Sequence, residues 1–347
     1  MNMMKKIARR AGITTKIARR DALGGLAALA GLPFATTVVR AAASRRLVRI
    51  GTVNPLASAT GQACRGFAEA VAASPVLSQV LQVEVHAGGD LGGELEMTKA
   101  CVNGSLDLAV TASNVVANIV PELGLLDAPF LFRDAAHARG VLDGPIGAEY
   151  ADMMHLKGVN LLAWAENGLR HITANRPIRK PDDLRGLHIR VPQSDVMIEA
   201  FKALGANPEA LPFPQLYEAL RTGRFEAEEN PVPTIVAAKF NDVQKCLNMT
   251  GHVYSAAMFI ASPDLLEDLD EAQRAALFAA AKAGAAASRD TGSRGEHDGI
   301  EVLRAAGMSI VTDIDRIALA TAAKPALDAT AKRLGADRAA RIAAMSA

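Results

Sequence analysis

Residues 47 to 111 alternate between strand-like and helix-like hydrophobic patterns, and this alternation constrains the fold more than any other feature of the chain. Residues 47–53 switch between apolar and polar side chains with period two, as a half-buried strand does. Residues 61–72 read as a helix, 81–86 as a second strand, 94–102 as a helix stopped by Gly104, and 106–111 as a third strand. A β-α-β-α-β run predicts parallel strands joined by right-handed crossovers. In a second series, strands are expected at 159–165 and 187–191, helices at 194–204 and 214–222, and strands again near 243–249 and 253–260. Ser194 is placed to cap the first of those helices and Gly205 to end it. Residues 270–306 are alanine-rich and free of proline, which predicts one long helix. A short strand at 308–311 and a helical segment at 324–347 close the chain. The 347 residues, 50% of them apolar, suffice for two α/β lobes. No low-complexity linker separates the two series, so the chain is expected to cross between lobes several times and to leave a cleft, a common ligand site.

The net charge of +1 combines +7 over residues 1–43 with −6 over the remainder. The basic start (Lys5, Lys6, Arg9, Arg10, Lys16, Arg19, Arg20 and Arg40 against Asp21) is an export pattern. Arg19-Arg20-Asp21-Ala22-Leu23 opens an apolar stretch over 22–34, and Ala41-Ala42-Ala43 offers small residues for cleavage before Ser44. Paired arginines ahead of a glycine-containing apolar stretch look like a twin-arginine signal. The 13 apolar residues fall short of the ~20 that span a bilayer. Export to the periplasm, with cleavage after Ala43, is therefore expected, and no membrane-embedded segment in the mature chain.

Several function classes find no support. No basic face with interleaved aromatics follows the leader, which argues against nucleic acid as a partner. Cys64, Cys101 and Cys246 lie far apart, without C-x-x-C or Cys/His spacing, and read as small buried residues. There is no G-x-x-x-x-G-K-[ST] phosphate loop, no G-x-S-x-G elbow and no H-E-x-x-H pair among the seven scattered histidines. No catalytic residue, cofactor or metal is expected.

Three stretches carry a resemblance. One is Asn167-Gly168-Leu169-Arg170-His171-Ile172-Thr173-Ala174-Asn175-Arg176-Pro177-Ile178. Another is Asp183-Leu184-Arg185-Gly186-Leu187-His188-Ile189-Arg190-Val191-Pro192. The third runs from Ala203-Leu204-Gly205-Ala206 through Pro212-Phe213, Tyr217-Glu218-Ala219-Leu220 and Glu229-Asn230-Pro231 to Val243-Gln244-Lys245 and Thr250-Gly251-His252. In order and spacing they resemble the solute-binding subunits of tripartite ATP-independent periplasmic (TRAP) transporters, of the C4-dicarboxylate-binding type. Leu91-Gly92-Gly93-Glu94 and Gly104-Ser105-Leu106-Asp107 fit the same family, and the likeness covers about residues 46–345. The fold this implies is α/β, a two-lobed periplasmic-binding-protein fold of type II-like topology. Each lobe would be a mixed sheet flanked by helices, joined by hinge strands and a long helix. One lobe would hold 44–167 plus about 256–295, the other 168–255 plus about 296–347.

The central motif has a physical reading of its own. Ile189-Arg190-Val191-Pro192 sets a guanidinium at the end of a buried strand that proline then stops. Such an arginine offers a rigid fork that fits a carboxylate bidentately. The resemblance implies that Arg190 clamps the ligand carboxylate, that Asn230 and Arg170 assist, that Phe213 packs on the ligand, and that Asn54 and Glu94 approach from the other lobe. Each position also has a structural reading: an ion pair for Arg190, a cleft-rim role for Arg170, a turn cap before Pro231 for Asn230, core packing for Phe213, a strand-end cap for Asn54, and a first-turn helix acid for Glu94. His171 and His252 read as structural. The chain departs from the family pattern at Glu228, where glutamine is common, at Ala227, where glycine is common, and at Leu95, where arginine is common.

The expected function is capture of a small carboxylate (dicarboxylate, sugar acid or related organic acid) by a monomeric receptor, which delivers it to small and large membrane permease subunits. A ligand-sensing receptor of the same fold is the alternative, because fold does not fix the partner; an enzyme ranks last.

Overall fold

The structure, a computed structural model, describes residues 45–345. The leader and its cleavage site lie outside them. β1 (Arg46–Gly51), α1 (Ala59–Ala73), β2 (Leu81–His86), α2 (Glu94–Val102) and β3 (Leu108–Ala112) form the expected β-α-β-α-β unit. β1 lies between β2 and β3 and is parallel to both. The Ser58 hydroxyl caps α1 by accepting the Gly61 N–H at 3.1 Å. Ala63, Cys64, Phe67 and Val71 form the buried stripe of that helix, at the three- and four-residue spacing of one helical face.

The remaining strands are β4 (Asn160–Ala174), β5 (His188–Val191), β6 (Asn207–Ala210), β7 (Ala227–Pro231), β8 (Cys246–Ala261) and β9 (Ser309–Val311). All nine join one mixed sheet in the order β2-β1-β3-β8-β4-β7-β5-β6, with β9 beside β8. The two long strands differ from the sequence expectation. β4 does not end near 165 but runs through the Asn167–Ala174 motif, and β8 is one strand where two were expected. Gly251 sits at φ +52, and the pairing of β4 with β8 shifts register around 162, 167 and 171. Where a partner strand continues alongside, a turn signature becomes a bulge, because the neighbour still satisfies the flanking backbone groups.

Sheet partners change midway along these strands. Residues 257–261 of β8 pair with β3, whereas residues 246–248 pair with β9 and residues 170–174 of β4 pair with β7. Leu108, Val110, Ala257 and Phe259 enter one core, while Ala109, Met258 and Ile260 enter another. Strands covered on both faces carry apolar residues on both, so residues 256–261 read as a continuous apolar run. Two further cores form around β5 with Met197 and Phe201, and around Phe225, Phe240 and Leu247.

The long helix is Glu271–Ala305, opened by a reciprocal cap in which Asp270 accepts the Gln273 N–H at 2.8 Å and Gln273 accepts the Asp270 N–H at 3.0 Å. Buried Ala280, Ala281, Gly284 and Ala285 give it a smooth face against α1. The helix expected over 214–222 begins as a tight turn, Phe213–Gln215, and continues as Leu216–Arg221. The terminal helix starts at Arg316, not Lys324, because Asp315 caps it by accepting the Ala318 N–H at 2.9 Å, and Gly335 then breaks the segment in two. Helices at Ala135–Asp143 and Pro145–Leu156 fill a stretch in which no element was expected. The three cysteines are buried and free.

Candidate functional site

Arg190 is the third residue of β5, and Pro192, which has no N–H to give, follows the strand. β5 runs parallel to β7 with Ile189 beside Ala227, and β7 runs antiparallel to β4 with Thr173 beside Glu228. Thr173, Glu228 and Arg190 therefore form a row across three neighbouring strands. Arg190 is 3% exposed. Its Nε and Nη2 both donate to the Leu211 carbonyl, at 2.8 and 2.7 Å, which fixes the guanidinium plane. Among the described residues, no carboxylate oxygen lies within the 4.0 Å of an ion pair with it, and its Nη1 has no hydrogen-bond partner. Burial pulls its pKa down to about 10, with Glu229 opposing and Arg170 adding to the effect. The group is still a cation at neutral pH.

Arg170 on β4 is differently placed. Its Nε donates to Glu229 Oε2 and its Nη2 to Glu229 Oε1 at 2.8 Å, with a further bond to Asn230 Oδ1 at 3.2 Å. His252 Nε2 contacts the same Glu229 oxygen at 3.2 Å. Burial alone would raise the Glu229 pKa. The Arg170 charge and the His252 hydrogen bond overcome it and hold the carboxylate at about 2. Two nitrogens of Arg170, which the resemblance assigned to the ligand, are thus committed to a buried ion pair. Glu229, which sequence reasoning quoted without a role, is that partner; only the pairing of β4 with β7 reveals it.

Asn230 is also engaged at both ends. Its Oδ1 accepts from Arg170, and its Nδ2 donates to Glu228 Oε2 at 2.6 Å. Thr173 Oγ1 donates to Glu228 Oε1 at 2.7 Å. Glu228 is fully buried, and burial raises its pKa to about 7. Glu94, the first residue of α2, accepts the Ala112 N–H at 2.6 Å and the Thr111 hydroxyl at 3.3 Å, tying the helix to β3. Burial raises its pKa, and the charges of Arg170 and Arg190 oppose the rise. Asp127, not singled out in the sequence, is fully buried; the Ser113 hydroxyl donates to its Oδ2 at 3.1 Å and its Oδ1 has no partner. Burial lifts its pKa to about 8. Arg190, Arg170, Glu228, Glu229, Asn230, Glu94 and Asp127 thus form one electrostatic cluster.

The other two predicted residues lie at its edges. Asn54, beyond the end of β1, is buried and spends its amide on Thr60 Oγ1 at 2.9 Å. Phe213 is half-buried with its ring 6.0 Å from Phe240 and touches two cores at once. A cavity of about 350 Å³ opens between Gly92, Gly93 and Leu95 on one side and Gln193, Pro212 and Pro214 on the other. It adjoins Glu94 and Phe213 in sequence, and neither arginine lines it.

The arrangement holds a rigid cation and several carboxyls with raised pKa. Comparison with known proteins gives it a family. The profile of bacterial extracellular solute-binding protein family 7 (DctP) matches residues 50–333. The chain belongs to this family. A solute-binding protein of Verminephrobacter eiseniae (strain EF01-2) is 40% identical over 245 residues, 70% of this chain and 73% of the relative. The 2,3-diketo-L-gulonate-binding periplasmic protein YiaO of Escherichia coli (strain K12) is 35% identical over 243 residues, 70% of this chain and 74% of the relative. A TRAP periplasmic solute-binding protein from Polaromonas sp. JS666, bound to D-erythronate, superposes with a TM-score of 0.85 at 37% identity, covering 87% of this chain and 100% of that one. This family 7 member is a TRAP solute-binding protein of mixed α/β fold and not an enzyme. Among the described residues, no helix is long and apolar enough to cross a membrane.

Proposed function

We propose that this chain is the extracytoplasmic receptor of a TRAP transporter and that Arg190 clamps one carboxylate of a small organic acid. The observation that carries this reading is a guanidinium 3% exposed, pinned by Leu211 and without an ion-pair partner among the described residues. Leaving a buried charge uncompensated is costly, so a ligand carboxylate entering there recovers that cost. Arg170 is neutralised by Glu229 and positions Asn230 and β7, so the site takes one carboxylate on Arg190. The remaining carboxyls suit hydroxyl groups. Sugar acids such as those bound by the E. coli and Polaromonas relatives combine both features.

Residues 44–167 with about 256–295, and 168–255 with about 296–347, act as two lobes that close on the ligand. The change of sheet partners near Gly168 and Ser255 supports hinges on β4 and β8. Asn54, Glu94 and Phe213 line the approach. Residues 1–43 direct export and are removed after Ala43, and the monomeric receptor hands its ligand to the membrane permease.

The test is a thermal-shift panel of aldonates, uronates, C4-dicarboxylates and their amides against the exported chain. A ligand that binds only the folded state at a hundredfold excess over its Kd adds ~2.7 kcal/mol, a shift of a few degrees. A shift given by one acid class and lost with its amide supports the reading; no shift with any acid removes the carboxylate clamp.

A further inference from the structure

Glu228 is a fully buried carboxyl whose two oxygens are held only by neutral donors, Thr173 Oγ1 at 2.7 Å and Asn230 Nδ2 at 2.6 Å. Among the described residues it makes no ion pair, unlike its neighbour Glu229, which Arg170 and His252 satisfy. The charged groups around it come from every adjoining element. Arg190 stands beside it on β5, Glu229 precedes Asn230 on its own strand, and Arg170 lies on β4. His252 on β8 reaches Glu229, while Glu94 on α2 and Asp127 complete the cluster. Arg170 is already matched by Glu229, so Arg190 is the uncommitted positive charge acting on Glu228.

We propose that Glu228 is a specificity-determining residue that enters the complex as a neutral carboxyl, so that an organic acid is captured together with one proton. The proposal rests on the reading that Arg190 holds the ligand carboxylate. Once it does, the favourable charge next to Glu228 is spent, and an anion stands in the same row of the sheet. Two carboxylates cannot share one buried site in charged form. The proton stays on Glu228, whose O–H becomes a donor to the ligand. No bond is made or broken beyond the O–H that takes the proton from solvent. A singly charged hydroxylated acid fits, a hydroxyl oxygen accepting from the Glu228 O–H; a second ligand carboxylate there is disfavoured because Arg190 is already spent and the extra charge is buried without a cation.

The free group titrates at about 7, so the proton is taken up on binding above neutral pH. The experiment is isothermal titration calorimetry of the exported chain at pH 6, 7, 8 and 9. D-erythronate, D-threonate, D-gluconate and D-galactonate are the probes, and the tightest binder is carried forward in phosphate and Tris. The expected result is close to one proton taken up per ligand at pH 8 and a Kd rising about tenfold from pH 8 to pH 9, because the protonated fraction falls tenfold. E228Q, isosteric and permanently neutral, is expected to bind with no proton uptake and a flat Kd over that range. Thr173→Val removes a donor to the charged form, and is expected to keep affinity high to a more alkaline pH. Equal heats in the two buffers for the wild type, or unchanged proton uptake in E228Q, overturn the proposal and leave the receptor reading in place. No binding of any of these aldonates at any pH overturns the proposal, and the receptor reading is then decided by the uronates and C4-dicarboxylates of the thermal-shift panel.

Discussion

Replacing Arg190 by methionine is the sharpest test of the site. The substitution keeps an unbranched chain in the same space and removes the fork. Arg190 spends Nε and Nη2 on the Leu211 carbonyl, so the proposed ligand bonds come from the remaining N–H groups. Removing one member of a buried, hydrogen-bonded charge pair costs roughly 2–5 kcal/mol, which is about 30- to several thousand-fold in Kd. Arg190→Lys keeps the charge, yet one ammonium cannot hold Leu211 and also form a fork, so one charge-assisted bond is lost, about 1.5–3 kcal/mol or ten- to 150-fold. Folding responds differently. Arg190→Met leaves the Leu211 carbonyl without its donor, a loss of about 1–3 kcal/mol, but also removes an unpaired buried cation, which is favourable. The ligand-free variant is therefore expected to melt within a few degrees of the wild type. The assay is titration calorimetry for Kd alongside thermal denaturation without ligand. Near-native affinity in Arg190→Met would refute the clamp. A collapse of the ligand-free fold would refute the claim that this charge is held for binding and not for stability.

Three further outcomes are expected. Glu229→Gln leaves Arg170 as an uncompensated buried charge and is expected to cost roughly 3–5 kcal/mol of folding stability in denaturant titrations, far more than Arg190→Met. The pH profile should show both signs. Glu229, depressed to about 2, contributes on the order of 3 kcal/mol that is present above its unfolded pKa of about 4.3 and lost as pH falls towards 2, while Glu228, raised to about 7, binds its proton more tightly when folded and so lowers stability as pH rises from about 4.3 to 7. A ligand-free stability curve without a fall between pH of about 4.3 and 7 would contradict the neutral, buried Glu228. Gly292→Ala drives a Cβ into Glu166 Oε1, displacing the carboxylate that Arg139 and Tyr254 share at the register shift of β4, and is expected to cost roughly 1–3 kcal/mol in thermal melts.

Much of the fold was legible because its signals are local. The strands at 47–53 and 81–86 and the helix at 94–102 emerged from hydrophobic period, and Ser194 and Asp270 cap helices as their side chains allow. The helices over 135–156 were not legible although their buried faces, His137-Ala138-Val141-Leu142 and Ile146-Gly147-Tyr150-Met154, keep helical spacing, because each stripe spans only two or three turns and includes a histidine or a glycine that weakens the apolar signal. The place of Arg190 at a strand end was legible because the proline after the strand marks where the chain must stop. Asp127 was not, because its neighbour Ser113 lies 14 residues away and meets it only through the fold.

The sequence by itself determined the α/β class, the order of the first five elements and the presence of an arginine at a strand end, since period, capping chemistry and proline act over a few residues. Tertiary structure decided which arginine is free. Pro192 marks the strand end beside Arg190, but nothing local in either stretch shows which arginine meets an acid. The pairing of β4 with β7 brings Glu229 onto Arg170, while the register of β5 against β7 puts Glu228, already held by Thr173 and Asn230, beside Arg190. A charge buried by folding is neutralised only by groups that folding also brings to it: for Arg170 that group, Glu229, comes from a strand about 60 residues away, whereas the strand about 40 residues from Arg190 brings Glu228 beside it without an ion pair.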